Sequence, residues 1–150
     1  CIITYPNCDA DHLAMIDSLQ DFKSRFPNAV ALVSSLGVQA YLTALKSATL
    51  VIGNSSSGLF EAPSYHTPTV NIGFRQAGRD RSSSVFDANT EAEIIKAIDA
   101  AIAYKSDPNS VWENPYGDGN TAERIITLLE NPELFPASNQ KQFYDLEVEL

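Results

Sequence analysis

The sequence predicts an α/β fold, a doubly wound parallel sheet of the Rossmann-like type. Short apolar runs, typical of strands buried on both faces, alternate along the chain with amphipathic helical patterns. Turn-forming residues such as Gly, Pro, Asn and Ser separate most of these segments. No internal repeat or linker-like stretch divides the 150 residues, so we expect a single domain covering 1–150.

The first half of the chain contains three predicted strands, each followed by a predicted helix. The strands are the apolar runs Ile2–Tyr5, Ala29–Val33 and Thr49–Ile52. Because apolar residues recur at helical spacing from Leu13 to Phe26, the first helix is expected there. The second helix opens at Ser34–Gly37, and a short third helix with Glu61 on its first turn follows Gly58. We expect the first strand to be buried.

The second half continues the alternation, with strands at Thr69–Ile72 and Val85–Phe86. Thr90 and Glu93 form a predicted capping box, and Asn120 and Glu123 form a second one. The helix that begins after Thr90 is expected to turn four isoleucines inward, namely Ile94, Ile95, Ile98 and Ile102. A weak helical signal extends from Gln140 to Leu146.

Composition limits the classes of protein. The chain is 44% hydrophobic with a net charge of −9, so it lacks the basic surface of a nucleic-acid-binding domain. No apolar run approaches the ~20 residues of a membrane-spanning helix, so we expect no membrane partner. The two cysteines, Cys1 and Cys8, suggest neither a disulfide framework nor a metal site. We expect a cytoplasmic protein without a metal or cofactor.

Polar loops are expected at the carboxyl ends of the strands, where parallel sheets bind ligands. The loop Gly53–Gly58 combines two glycines with three serine hydroxyls, which is typical of a phosphate cradle. Glu61 follows, and such a carboxylate is able to accept the hydroxyls of a ribose. Arg75 and Arg79 stand downstream, and no acidic residue occurs between Asp21 and Glu61. Together these features predict a site for a nucleoside diphosphate.

Simpler interpretations of these residues remain open. A Ser/Gly-rich turn is often only a helix cap, and Glu61 is equally explained as a partner of the helix dipole. The acidic excess in the last part of the chain, where 87–150 carries 13 acidic and 4 basic residues, is explained by a solvated surface.

Specific motifs identify a family resemblance. The runs Ile52–Pro63 and Thr67–Gly73, followed by Arg75-Gln76 and Gly78-Arg79, resemble the UDP-N-acetylglucosamine 2-epimerases, and most closely their hydrolysing branch. Further matches are Tyr5-Pro6-Asn7 with Asp9, Ser35-Leu36-Gly37 with Tyr41-Leu42, and Pro115–Gly119. The similarity covers nearly the whole chain, and its most specific part lies between Gly53 and Arg79.

The resemblance implies a two-domain glycosyltransferase-B architecture in which this chain is most of the C-terminal, UDP-holding domain. The domain's first strand and the N-terminal catalytic domain would then be absent, so the chain is expected to be a fragment. The implied reaction converts UDP-N-acetylglucosamine to N-acetylmannosamine and UDP, on the way to sialic-acid-type sugars. The family is often homo-oligomeric. Because the catalytic carboxylates of the family lie in the other domain, no catalytic residue is assigned here, and the fragment is expected to bind UDP without turnover.

The resemblance also implies a set of UDP-binding residues. They are Asn7, Leu36, Gly37, Ser55, Ser56, Ser57, Gly58, Glu61, Arg75 and Arg79. Within this set, Ser55 and Ser56 are expected to bind the diphosphate and Glu61 the ribose. Asn7 would line the cleft, and the loop at Leu36 and Gly37 would lie beside the uracil. Arg79 matches the family's binding residues less specifically and also suits a position at the interface between the two domains.

Two other functions remain open. A UDP-sugar glycosyltransferase of the same architecture also holds the ribose of its donor with a glutamate, but it requires an acceptor. A free-standing α/β module that binds a protein partner would not bind a nucleotide and would tolerate Glu61→Gln.

Overall fold

The computed structural model describes residues 1–8, 10 and 12–134. Within these residues it contains five strands, β1 Ile2–Thr4, β2 Ala31–Val33, β3 Val51–Gly53, β4 Thr69–Ile72 and β5 Val85–Ala88. The helices are α1 His12–Arg25, α2 Gly37–Ser47, α3 Ser57–Phe60, α4 Glu91–Ser106 and α5 Thr121–Leu129. Two 3₁₀ turns occupy Ala62–Tyr65 and Pro132–Leu134. The helical signal predicted from Gln140 to Leu146, and Asp9 of the family motif, lie outside the described residues.

All of the described strand pairs are parallel, which confirms the predicted α/β class. Strands β1 and β2 pair with each other, and β3, β4 and β5 form a three-stranded sheet with β4 in the centre. In the register of that sheet Gly53 pairs with Asn71, and Ile72 pairs with Ala88. The carboxyl ends of β3, β4 and β5 therefore lie at one edge.

The hydrophobic core lies between α4 and the three-stranded sheet. Its buried members are Val70, Ala88, Ala97 and Ala101, with Ile94 and Ile98 packed against them. The expectation that Ile95 and Ile102 also turn inward is wrong, since they are 56% and 42% exposed. The buried face of α4 follows the positions i, i+3, i+4 and i+7 from Ile94, and two of these positions are alanines. Ile95 and Ile102 lie beside this face and are therefore exposed.

The expectation that the first strand is buried is also wrong. Ile2 is 55% exposed and Thr4 is exposed, while Ile3 between them is partly covered. Among the described strands β1 pairs only with β2, so it is an edge strand. Its alternating burial pattern shows partial cover only on the face that carries Ile3.

One of the two predicted capping boxes forms. Thr90 Oγ1 accepts a hydrogen bond from the Glu93 amide, and the Glu93 carboxylate accepts one from the Thr90 amide. Asn120 precedes α5 as predicted, but its side chain makes no capping bond. Instead, the Asn120 amide donates to Asp118, whose carboxylate also holds Arg124. Asp118 thus takes the place of the second box.

Candidate functional site

The two polar loops of the three-stranded sheet are joined at its carboxyl edge. The loop Gly53–Gly58 leaves β3, and the loop Gly73–Ser84 leaves β4. Gln76 Nε2 in the second loop donates to the backbone carbonyl of Asn54 in the first, over 2.7 Å. Gln76 is only 3% exposed, and its Oε1 has no hydrogen-bond partner among the described residues. This bond fixes the arginine-containing loop beside the serine-containing loop, as the parallel topology predicts.

The helix after the serine-rich loop begins earlier and is shorter than predicted. Ser56 is the N-cap residue of α3, which has a single turn, and Glu61 stands at its end rather than on its first turn. The chain then continues as the 3₁₀ turn with Pro63 near its start. Proline has no amide proton and its ring crowds the carbonyl four residues earlier, so Pro63 explains why the α-helix stops before Ala62.

The serine hydroxyls of the loop are not consumed by capping. Ser56 makes no side-chain capping bond, although it occupies the N-cap position. Ser55 Oγ accepts a long bond of 3.4 Å from the Ser57 amide, and the Ser55 side chain is exposed. Two hydroxyl protons, on Ser55 and Ser56, are therefore available to an acceptor beside the loop.

Glu61 presents an exposed carboxylate that the neighbouring side chains hold in place. Ser57 Oγ donates to Glu61 Oε2 at 2.5 Å. The hydroxyl of Tyr41, on α2, is in hydrogen-bond contact with the same Ser57 oxygen. Ser57 thus links α2 to the carboxylate at the end of α3.

Gly58 is required by close packing of the loop on the sheet. Thr69 Oγ1, on β4, donates to the Gly58 carbonyl at 2.9 Å. A Cβ atom at position 58 would lie 2.5 Å from Thr69 Cγ2, which is far inside van der Waals contact. The absence of a side chain lets the serine loop sit directly on β4.

One arginine of the second loop has a structural role. Arg81 lies 2.8 Å from the Asp87 carboxylate and donates to the backbone carbonyls of Gln76 and Arg79 at 3.1 and 2.6 Å. Asn71 Nδ2 donates to Asp87 at 2.6 Å. Arg81 therefore fixes the loop to β5.

Arg75 and Arg79 are exposed members of the same loop. The guanidinium of Arg79 lies 5.3 Å from the centre of the Phe60 ring, which in turn lies 4.0 Å from the Tyr116 ring. Arg79 thus borders the residue immediately before Glu61. Arg75 is next in sequence to Gln76, which anchors the loop to Asn54.

The remaining predicted residues lie at the start of α2 and in the loop after β1. Leu36 is the half-buried N-cap residue of α2, and Gly37 begins that helix with a φ of +66°, a conformation that favours glycine. Helix α2 brings Tyr41 to Ser57, so the loop at Leu36 is joined to the serine loop through it. Asn7 is exposed after β1, and no hydrogen bond among the described residues connects it to the other predicted site residues.

Nothing in the described ranges forms a group of three or more His, Cys, Asp and Glu side chains arranged for a metal. No helix in the part of the chain that the structure describes is long and apolar enough to cross a membrane. Cys1 and Cys8 are free thiols. His66 stacks on Trp112, with ring centres 5.2 Å apart.

Sequence reasoning missed three residues that build the site. Tyr41, Thr69 and Gln76 all stand in the family motifs, but the motifs alone predict no role for them. Their contacts cross between elements far apart in sequence. The one signal that pointed to them was their position beside the serine and arginine motifs.

Comparison with known proteins supplies the family. The family model described as UDP-N-acetylglucosamine 2-epimerase matches residues 1–130. A UDP-N-acetylglucosamine 2-epimerase of Neisseria meningitidis is 32% identical over 97% of this chain and 38% of its own length. A GDP/UDP-N,N'-diacetylbacillosamine 2-epimerase (hydrolyzing) of Campylobacter jejuni is 40% identical over 58% of this chain and 23% of its own length.

A solved structure agrees at the level of the fold. UDP-GlcNAc 2-epimerase from Methanocaldococcus jannaschii superposes with a TM-score of 0.62 at 18% identity, covering 85% of this chain and 35% of that one. The chain therefore spans between about a quarter and two fifths of these relatives. Since the family match covers most of the chain and includes every predicted site residue, the chain belongs to the UDP-N-acetylglucosamine 2-epimerase family.

Proposed function

We propose that this chain is the UDP-holding domain of a UDP-N-acetylglucosamine 2-epimerase that releases UDP and N-acetylmannosamine. The observation that carries the proposal is that two serine hydroxyls with available protons and a carboxylate held by a hydrogen bond lie beside the loop that contains Arg75 and Arg79. Family membership supports it, as do the names of the relatives, two of which are described as hydrolyzing 2-epimerases.

The diphosphate binds at Ser55 and Ser56, with Arg75 on the neighbouring loop. Hydroxyl donors and a guanidinium are suited to an anion, and donors already fixed in place need no reorganisation when charge develops. Gly58 keeps the loop tight against β4, so that these donors are held by the sheet. When the bond from the sugar to UDP breaks, negative charge grows on the diphosphate, and this loop stabilises it.

The nucleoside lies along the other side of the serine loop. Glu61 accepts the ribose hydroxyls, and the loop at Leu36 and Gly37 lies beside the uracil. Asn7 lines the cleft toward the remainder of the enzyme, and Arg79 borders it next to Phe60. Ser57 lies between the diphosphate and the ribose.

The general acid and base lie outside this chain, which binds UDP but does not turn over substrate alone. The whole enzyme is a homo-oligomer of the cytoplasm, and its product serves the biosynthesis of sialic-acid-type sugars. A relative from Escherichia coli, 35% identical over 116 residues and named polysialic acid biosynthesis protein P7, supports that assignment.

Calorimetric titration with UDP and UMP tests the diphosphate assignment. Hydrogen bonds to charged groups contribute about 1.5–3 kcal/mol, so Ser55→Ala and Ser56→Ala should each weaken UDP binding by roughly 10- to 100-fold and UMP binding much less. Ser47→Ala, at the exposed end of α2, is the matched control and should change neither affinity. Equal affinity of the parent chain for UDP and UMP, or unchanged binding in both loop variants, would overturn the proposal.

A further inference from the structure

Three side chains form a directional hydrogen-bond chain at the site: one on α2, one on α3 and one on the residue that follows α3. Ser57 Oγ donates its single proton to Glu61 Oε2. It therefore accepts in its contact with Tyr41, and the Tyr41 hydroxyl is the donor. The order is Tyr41 hydroxyl to Ser57 hydroxyl to Glu61 carboxylate.

This chain fixes a carboxylate that would otherwise rotate freely. Glu61 is exposed, while Tyr41 and Ser57, which hold its Oε2, are half-buried. The second oxygen, Oε1, accepts no hydrogen bond from any described residue. An exposed glutamate loses side-chain entropy when it binds a ligand, and holding it beforehand reduces that loss.

We propose that Tyr41 and Ser57 are positioning residues that orient Glu61 toward the ribose hydroxyls. The inference rests on the proposed function and deepens it. Because the Ser57 proton is given to Glu61, Ser57 orients the carboxylate and donates nothing to the diphosphate. Tyr41 lies one turn after Gly37 in α2, so the helix that begins beside the uracil also orients the Glu61 carboxylate that binds the ribose.

The test compares UDP with 2′,3′-dideoxy-UDP, which lacks both ribose hydroxyls. Tyr41→Phe removes the first donor and keeps the ring. It should weaken UDP binding about three- to tenfold, the effect of a hydrogen bond of ordinary strength, and leave dideoxy-UDP binding unchanged. Tyr65→Phe is the matched control, since the Tyr65 hydroxyl makes no hydrogen bond to a described residue, and it should bind both ligands as the parent chain does.

A double variant tests whether the two residues act in series. Ser57→Ala should weaken UDP binding at least as much as Tyr41→Phe. The variant carrying both changes should lie within about twofold of Ser57→Ala alone, because the second change removes a link that has already been broken.

The outcomes separate the inference from the function on which it rests. If the parent chain prefers UDP to dideoxy-UDP but Tyr41→Phe weakens both ligands equally, or neither, the positioning role is wrong and the UDP site stands. If the parent chain does not distinguish UDP from dideoxy-UDP, the ribose assignment of Glu61 is wrong, and the positioning role falls with it.

Discussion

The substitution Gly58→Ala tests how the serine loop is held on the sheet. The new Cβ would lie 2.5 Å from Thr69 Cγ2, whereas carbon atoms in contact are about 3.5–4.0 Å apart. Neither side has room to move, since Gly58 is buried and Thr69 is 2% exposed in the central strand with its hydroxyl bonded to the Gly58 carbonyl. The clash must displace either the loop or the strand.

The expected cost follows from two opposing effects. Overpacking a core typically costs about 1–3 kcal/mol, and the better helix propensity of alanine returns at most about 1 kcal/mol. We expect a net loss of about 1–2 kcal/mol in the free energy of unfolding. For a chain of this size the loss corresponds to a decrease in Tm of roughly 2–8 °C.

The assay is thermal and urea unfolding of a double-mutant cycle at Gly58 and Thr69. Thr69→Ser removes the clashing methyl and keeps the hydroxyl donor, and on its own it should cost about 1 kcal/mol for the lost methyl. The variant with both changes should be no less stable than Gly58→Ala, because the alanine methyl occupies the space vacated by Cγ2. If the two losses simply add, or if Gly58→Ala is as stable as the parent chain, the packing explanation is refuted.

Three further substitutions test other contacts. Thr90→Ala should lower the free energy of unfolding by about 1 kcal/mol in urea titration, because it removes the acceptor of the Glu93 amide at the start of α4, and no loss would show that the capping box contributes nothing. Hydrogen bonds from Ser83 hold the pKa of Glu113 below its ordinary value of 4.5, so their stabilisation is present above that pH and is lost as the pH falls through the lowered pKa. Glu113→Gln should therefore lose less stability than the parent chain as the pH falls below 4.5, and identical pH profiles would contradict this. Arg81→Met should cost about 1–2 kcal/mol in the same unfolding assay, because it breaks the ion pair with Asp87 and leaves the Arg79 carbonyl without its donor. A variant of full stability would show that Arg81 does not stabilise the loop.

The sequence predicts structure well where the signal is local. Strand β4 occurs at Thr69–Ile72 as expected, and the Thr90–Glu93 box starts α4. Both signals are local, a short apolar run in one case and side chains three residues apart in the other. The serine loop and the arginine loop also occur at the same sheet edge, since parallel pairing forces that arrangement.

Errors arose where a distant or competing residue decides the local structure. Pro63 ends α3 before Glu61 enters it, whereas the sequence pattern predicts Glu61 on the first turn of a short helix after Gly58. Asp118, and not Glu123, accepts the hydrogen bond of the Asn120 amide at the start of α5, and the burial of Ile95 depends on how α4 is rotated against the sheet. The contact from Tyr41 to Ser57 spans 16 residues, and no periodicity in the sequence encodes such a pair.

The crystal structure of this chain with bound UDP is the most direct test of the proposed site. The account predicts that the diphosphate oxygens lie within hydrogen-bond distance of the Ser55 and Ser56 hydroxyls and that the ribose hydroxyls lie on the Glu61 carboxylate, with the Tyr41 and Ser57 contacts retained. UDP bound away from the serine loop, or bound there with its ribose turned away from Glu61, would contradict the account.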